Sequence, residues 1–221
     1  MSQLSEHEIL RRQSLQELIE LGIDPYPPDG FEVNGFSTDI IEEFEKDPAS
    51  FEGKTFSLAG RIMSKRVMGG ASFCSIMDSK GKIQLYLKKD DLCPGEDKSL
   101  YDVVFKKLLD LGDFIGVTGF VFRTKTGEIS IHAQSMKLLS KALKPLPVVK
   151  EKEGEKFDEV TDPELRYRQR YVDLNINQQS KEVFLMRSKM IESMRRFLLD
   201  KNYIEVETPI LQPIYGGALA R

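Results

Sequence analysis

Hydrophobic and polar positions follow three rhythms along these 221 residues, and each marks a different region. In the first, Ser5 stands three residues ahead of Glu8 as a capping box. Leu15, Leu18 and Ile19 follow at helical spacing and Gly22 supplies a stop, so the pattern predicts an N-terminal helix. DPYPP at 24–28 breaks it, and the acidic stretch from Asp39 to Asp47 predicts a second short helix. The second rhythm has period two and yields five strand-like runs, at about 54–66, 71–78, 81–89, 112–124 and 128–139. Between the third and fourth, Leu100, Val103, Val104, Leu108 and Leu109 recur at helical spacing within 97–109. In the third, Val183, Phe184, Met190, Ile191, Met194, Phe197 and Leu198 predict a helix from Lys181 to about Lys201, with one apolar stripe that needs a partner surface. Ile204, Val206 and Thr208 then alternate with Glu205 and Glu207. This predicts a strand that Pro209, lacking an N–H, ends or edges.

Three strands, a helix and two strands in about 90 residues is the order of an OB-fold, a small barrel used for single-stranded nucleic acids and oligosaccharides. The expected organisation is a helical extension over 1–52, the five-stranded barrel over 53–147, a charged connector or hairpin over 148–164, and the start of a further domain over 165–221. The class is α+β. No internal repeat appears, which removes solenoids.

Alternation also sorts the strands into faces. Phe56, Leu58 and Ile62 form the inward set of the first strand, leaving Ser57, Ala59, Arg61 and Lys65 outward. Cys74 and Ile76 point in against Phe73 and Ser75, and Ile83, Leu85 and Leu87 point in against Lys82, Gln84, Tyr86 and Lys88. In the fifth strand Ile129, Ile131 and Ala133 point in, with Glu128, Ser130 and His132 outward. One face thus collects a cation (Arg61), a ring (Phe73), an amide (Gln84) and a carboxylate (Glu128). These types suit an unpaired base, stacked on the ring and read at its edge by the amide and carboxylate. Phosphates would be left to Lys65, Lys82 and Lys88. By default an isolated Phe73 is a packing residue of the barrel edge; the joint placement is what favours function.

Composition narrows the field. A hydrophobic fraction of 40% supports buried cores, and no apolar run approaches the ~20 residues of a membrane helix. MSQLSEHEIL lacks the pattern of a secretory signal, and Cys74 and Cys93 have no metal-ligand spacing, so a cytoplasmic protein with reduced thiols is expected. With His7 and His132 the only histidines and no partner evident for either, a histidine-based hydrolase is disfavoured. The net charge of −3 hides asymmetry: 54–89 carries eight basic residues against Asp78, while 151–164 carries seven acids against two lysines. A solvated face is the default reading of such runs.

RYRQRYVDL at 166–174, KALKPLP at 141–147 and VETPIL at 206–211, followed by GGALAR, resemble class II aminoacyl-tRNA synthetases, and within them the bacterial-type lysine tRNA ligases, over nearly the whole chain. The helix and strand at the C-terminal end resemble motif 1 of that class. The likeness implies an antiparallel α/β catalytic domain, of which 165–221 would be a truncated start. It implies lysine activation by ATP with magnesium, followed by transfer to tRNA(Lys). The motif 2 and motif 3 arginines would lie beyond Arg221, so no catalytic residue or ATP and metal ligand is expected within 1–221, and the chain is expected to be inactive alone. The anticodon barrels of the lysine, aspartate and asparagine enzymes share a pattern GR…RxxGxxxF…Q, matched by Gly60, Arg61, Arg66, Phe73 and Gln84. By that likeness Phe73 stacks on the central anticodon uridine, Gln84 and Arg66 hydrogen-bond it, and Glu128 lies against a neighbouring base. Strict alternation sends Arg66 inward, so a bulge or the strand end must re-aim it. Gly216 and Gly217 resemble the loop bordering the lysine α-amino group, and Phe184, Ile191 and Pro209 fall in what resembles the homodimer interface. Two alternatives stay open: a stand-alone tRNA-binding or regulatory module, and an aspartate or asparagine tRNA ligase.

Overall fold

A computed structural model describes residues 4–147, 150–152, 155–157 and 162–210, and the chain divides into two compact units, Met1–Leu146 and Pro147–Arg221. In the first, helix α1 (Glu6–Glu20) starts where Ser5 caps it. Ser5 Oγ accepts from the Glu8 N–H at 3.3 Å, and the Glu8 carboxylate accepts from the Ser5 N–H at 2.9 Å. Leu18 is fully buried, and Arg11 ties α1 to the barrel through the carbonyls of Leu111 (2.7 Å) and Ala142 (2.9 Å). Helix α2 (Ser37–Lys46) is anchored by Asp78, which accepts from the Ser37 N–H (2.6 Å) and hydroxyl (2.8 Å).

Strands β1 (Phe56–Met68), β2 (Ala71–Met77), β3 (Lys82–Lys88), β4 (Phe114–Arg123) and β5 (Ile129–Ser140) close into a barrel of order β1-β2-β3-β5-β4, with β3 and β5 parallel and the other pairs antiparallel. Closure leaves no sheet edge. Leu58, Ile62, Cys74, Ile76, Leu85, Leu87, Val117 and Ile131 fill the interior. After β3 come a short helix α3 (Lys89–Leu92) and a π-wound helix (Leu100–Leu108), whose Tyr101 and Phe105 are fully buried. Tyr101 shares a 2.7 Å hydrogen bond with buried Ser72. Lys141 lies buried past β5, and its Nζ donates to Asp113 (2.8 Å), Asp110 (2.6 Å) and the Leu108 carbonyl (2.8 Å).

Two register shifts decide which side chains face outward. On β1 the shift lies between Ile62 and Ser64, making Met63 the extra residue of a bulge. The second lies opposite Thr118 and Gly119, where β5 carries Gln134 as an extra residue and the two strands approach so closely that a Cβ at Gly119 would run into the His132 carbonyl. Beyond the β1 bulge the parity inverts. Lys65, expected outward, pairs with buried Cys74, and its ammonium donates to the carbonyls of Phe105 (3.1 Å), Lys106 (3.3 Å) and Leu109 (2.5 Å) at the end of the π-wound helix. Lys65 therefore serves the fold rather than a phosphate.

In the second unit β6 (Lys150–Lys152) and β7 (Glu155–Phe157) form a hairpin. Helices α4 (Pro163–Arg168), α5 (Arg170–Ile176) and α6 (Gln178–Leu199) follow. The RYRQRYVDL string gains a physical meaning here. Asp173, almost fully buried, accepts from Arg166 Nε (2.9 Å), from Arg170 and from Ser180 (3.3 Å), and so ties α4, α5 and α6 together. The strand expected at 204–208 is not formed: Tyr203 to Pro209 has no regular structure, and Ile204 and Val206 are 83% and 71% exposed. A strand exists only with a ladder partner, and the described residues of this unit supply none for it. No described helix is long and apolar enough to cross a membrane.

Candidate nucleic-acid interface

Two rows of side chains run across the outer face of the barrel strands. Cross-strand pairing sets one row as Arg66–Phe73–Tyr86–His132–Phe120 and the next as Ser64–Ser75–Gln84–Ser130–Phe122. Their rings lie close together, with Phe73 to Tyr86 centroids at 5.2 Å, Tyr86 to His132 at 5.1 Å, and Tyr86 to Phe122 at 5.8 Å. Where the rows meet the β4–β5 turn, a pocket of about 490 Å³ opens, lined by Arg66, Phe73, Gln84, Tyr86, Phe122 and the turn residues Thr124, Lys125 and Thr126.

The β1 bulge is what brings Arg66 there, beside Phe73 on the neighbouring strand. Arg66 is exposed and has no carboxylate partner among the described residues. Gln84 is held from behind: its Nε2 donates to Ser130 Oγ at 2.9 Å, leaving Oε1 as an acceptor for a ligand. Ser130, expected outward, is fully buried beneath this contact. Phe73 is half-buried, resting on Tyr86, with the rest of its ring free to stack.

Arg61 and Glu128 are placed elsewhere. Arg61 does face outward, but on the β1–β4 side, where its guanidinium lies 4.3 Å from the Phe114 centroid and donates to the Gly112 carbonyl at 3.0 Å. It does not line the pocket. Glu128 sits exposed in the β4–β5 turn rather than on the β5 face, its N–H donating to Thr124 Oγ1 at 3.0 Å. Sequence reasoning missed Phe122 and the Thr124–Thr126 turn as site residues. Both Tyr86 and Phe122 carried a readable signal: Tyr86 shares strand parity with Gln84, and Phe122 alternates against buried Ile115, Val117 and Val121.

The basic run is largely neutralised within the fold. Lys80 pairs with Asp39, Lys88 with Asp91 and Lys89 with Asp102, while Lys65 caps the π-wound helix. Arg66, Lys54 and Lys82 make no ion pair among the described residues, whereas Lys80 and Lys88, each 46% exposed, meet solvent already paired with a carboxylate. Asp91 also accepts a hydrogen bond from His132 Nε2 at 2.7 Å. Burial works to raise the Asp91 pKa, but hydrogen bonds from His132 and Lys88 outweigh it and hold the carboxyl below its ordinary value. Inside the barrel, burial pushes the Cys74 thiol up to about 12, which makes it inert as a nucleophile at neutral pH.

On the second unit, Phe184 lies under the Arg170 guanidinium at 5.1 Å and is 39% exposed, Ile191 is half-buried, and Pro209 is exposed. Val183, Met186, Met190, Met194 and Phe197 are each more than half exposed, so most of the α6 stripe has no cover among the described residues of its unit. Gly216 and Gly217 lie outside the described residues.

Comparison with known proteins agrees with the barrel and extends beyond it. Residues 56–139 match the OB-fold nucleic acid binding domain family, and residues 162–221 match tRNA synthetases class II (D, K and N). The chain is 56% identical over 219 residues to a lysine–tRNA ligase of Porphyromonas gingivalis, covering 99% of this chain and 38% of that protein. It is 57% identical over 218 residues to that of Azobacteroides pseudotrichonymphae, covering 99% of this chain and 43% of the relative. With that of Christiangramia forsetii the identity is 51% over 222 residues, covering 100% and 38%. The chain thus spans about two fifths of the length of these relatives. Over that span the chain is similar to lysine–tRNA ligases, its barrel matching an OB-fold nucleic acid binding domain and its C-terminal region class II tRNA synthetases (D, K and N).

Proposed function

We propose that the barrel is the anticodon-binding domain of a lysine–tRNA ligase, and that its pocket takes the central anticodon base of tRNA(Lys). The observation that carries this is the convergence of Phe73, Gln84 and Arg66 on one pocket through the β1 bulge. Uracil offers acceptor, donor and acceptor along its edge. Gln84 Oε1 is an acceptor for the N3–H, the Arg66 guanidinium donates to a flanking carbonyl oxygen, and Phe73 supplies the stacking face. Cytosine carries an acceptor at N3, so it would leave Gln84 Oε1 facing a lone pair. Glu128, on the adjoining turn, is within the same reading the neighbour of a second anticodon base.

The division into a helical extension (1–52), barrel (53–147), connector (148–164) and catalytic region (165–221) is part of the proposal. So is the reaction: lysine and ATP give lysyl-adenylate and diphosphate, and the lysyl group then passes to a hydroxyl of the 3′-terminal ribose of tRNA(Lys) with release of AMP. Such chemistry rests on positioning and charge stabilisation. Among the described residues no cluster of three or more His, Cys, Asp or Glu side chains could hold a metal ion. Homodimerisation through Phe184, Ile191 and Pro209, and the lysine-binding role of Gly216 and Gly217, complete the reading. The exposed α6 stripe supports the dimer. A cytoplasmic location follows from the same reading, since tRNA is charged there.

The test is fluorescence anisotropy of the chain with a lysine anticodon stem-loop. Phe73→Ala is expected to weaken binding by ~1–3 kcal/mol, and a central uracil-to-cytosine change to weaken the parent but not the Gln84→Ala variant. Unchanged affinity for Phe73→Ala, with circular dichroism intact, would remove the pocket from recognition.

A further inference from the structure

We infer that the barrel carries a second nucleotide subsite, which takes one RNA nucleotide outside the anticodon triplet. It rests on the anticodon reading of the first pocket. A cleft of about 480 Å³ opens beside β4, lined by Phe51, Glu52, Lys54, Phe120 and Gln134 among others. Phe120 ends the same cross-barrel row that begins at Arg66 and Phe73. Its ring lies 4.7 Å from His132 and 6.4 Å from Phe122, which lines the first pocket. The two sites are therefore joined by an unbroken run of rings.

The chemistry of the second cleft repeats that of the first. Phe120 is 38% exposed and offers a stacking face. Gln134 is exposed, and its amide makes no hydrogen bond among the described residues. Lys54 has no ion pair among them either, its ammonium resting 5.9 Å from the Phe51 centroid. Ring, amide and cation match Phe73, Gln84 and Arg66. Glu52 also lines the cleft, so a phosphate is directed to the Lys54 side and the base edge, with its N–H donors, to the Glu52 and Gln134 side. A triplet of bases is also short for this architecture, since OB-folds bind roughly 4–16 nucleotides. A protein partner would have less use for an unpaired amide and cation beside a single ring than an RNA strand already seated one ring away.

The experiment measures anisotropy of the whole chain with the lysine anticodon stem-loop, intact and with each loop nucleotide outside the triplet made abasic in turn. Removing a stacked base costs about 5- to 150-fold by the magnitude of base–aromatic stacking. One abasic position is expected to weaken the parent protein to that extent. Phe120→Ala should weaken the intact stem-loop equally and become insensitive to that position. Gln134→Ala, at an exposed and unpartnered side chain, should reproduce the insensitivity in part and guards against a folding defect. Lys54→Ala should lower the salt slope by roughly 0.7. If Phe120→Ala and Gln134→Ala bind like the parent while Phe73→Ala is weakened, the subsite is wrong and the first pocket stands. Coupling of Phe120 to a base within the triplet, or to none, also overturns the subsite. If Phe73→Ala binds like the parent too, the anticodon reading fails with it.

Discussion

Lys65 separates a structural cation from a recognition cation, and Lys65→Met tests that separation. Methionine keeps the length and packing of the stem but removes the ammonium that donates to the carbonyls of Phe105, Lys106 and Leu109. Those are among the acceptors that a helix end leaves without intrahelical partners. Hydrogen bonds to a charged donor contribute ~1.5–3 kcal/mol each before its desolvation is subtracted, and a cation at a partly buried helix C-terminus contributes up to ~2 kcal/mol in all. Desolvation offsets much of the first figure: burial is the largest influence on Lys65, and it depresses the pKa below the ordinary lysine value of 10.5 despite Asp110, Cys74 and Asp113 acting in the opposite direction. A net loss of about 1–2 kcal/mol is therefore expected, read from urea denaturation followed by circular dichroism.

The pH dependence has a definite sign. Between the depressed folded value and 10.5 the unfolded chain holds more protons than the folded one, so this group makes stability rise with pH across that window. The difference between the parent and Lys65→Met should therefore grow as pH rises through it. RNA binding gives the second arm: affinity and salt slope for the anticodon stem-loop should be unchanged. A variant as stable as the parent, or one whose salt slope falls by roughly 0.7 as for a lost phosphate contact, would refute the assignment.

Asp78→Asn should destabilise the first unit by ~1–2 kcal/mol in urea, because Asp78 accepts from Ser37 and from the N–H groups of Lys80 and Gly81. Burial works to raise its pKa, but those bonds outweigh it and hold the folded value below 3.8. The difference from the parent should persist at neutral pH and vanish as pH falls through the folded value, and a difference constant down to pH ~2 would count against it. Lys141→Met should cost ~3–5 kcal/mol by the same assay, since it strands the fully buried Asp113 carboxylate without its cation. A loss below ~1 kcal/mol would mean that the Asp113 bonds to the Asp110 and Ala142 N–H groups suffice.

Much of this architecture is legible in the sequence because its determinants are local. Period-two alternation places all five strands within about two residues of their ends, and Ser5 with Glu8 marks the start of α1. Phe73, Gln84 and Tyr86 lie on strands without a register shift, so their common face can be counted directly. What escapes counting depends on a second strand. Ser130 looks outward by parity but is covered by Gln84 and its neighbours, Gln134 is an extra residue opposite the step from Thr118 to Gly119, and Glu128 belongs to a turn whose length alternation does not reveal. Ile204 to Thr208 has strand parity throughout, yet parity is only permission. The ladder partner that would make it a strand is a non-local fact.

The β1 bulge shows how one such fact can carry both stability and the proposed recognition. Without Met63 as an extra residue, Arg66 would point inward and Lys65 outward. The guanidinium would then be buried without a carboxylate, at a cost of several kcal/mol, and the carbonyls of Phe105, Lys106 and Leu109 would lose their donor. The barrel thus has its own reason to keep the bulge, independent of any ligand. An outward Arg66 beside Phe73 comes with it, because parity cannot be inverted for one residue alone. On the proposed reading, recognition by this pocket is in that sense a by-product of how the barrel caps its own helix. The pairing also explains why adjacent lysine and arginine at 65 and 66, equivalent by charge, have opposite fates: one donates to backbone inside the fold, and the other reaches the pocket.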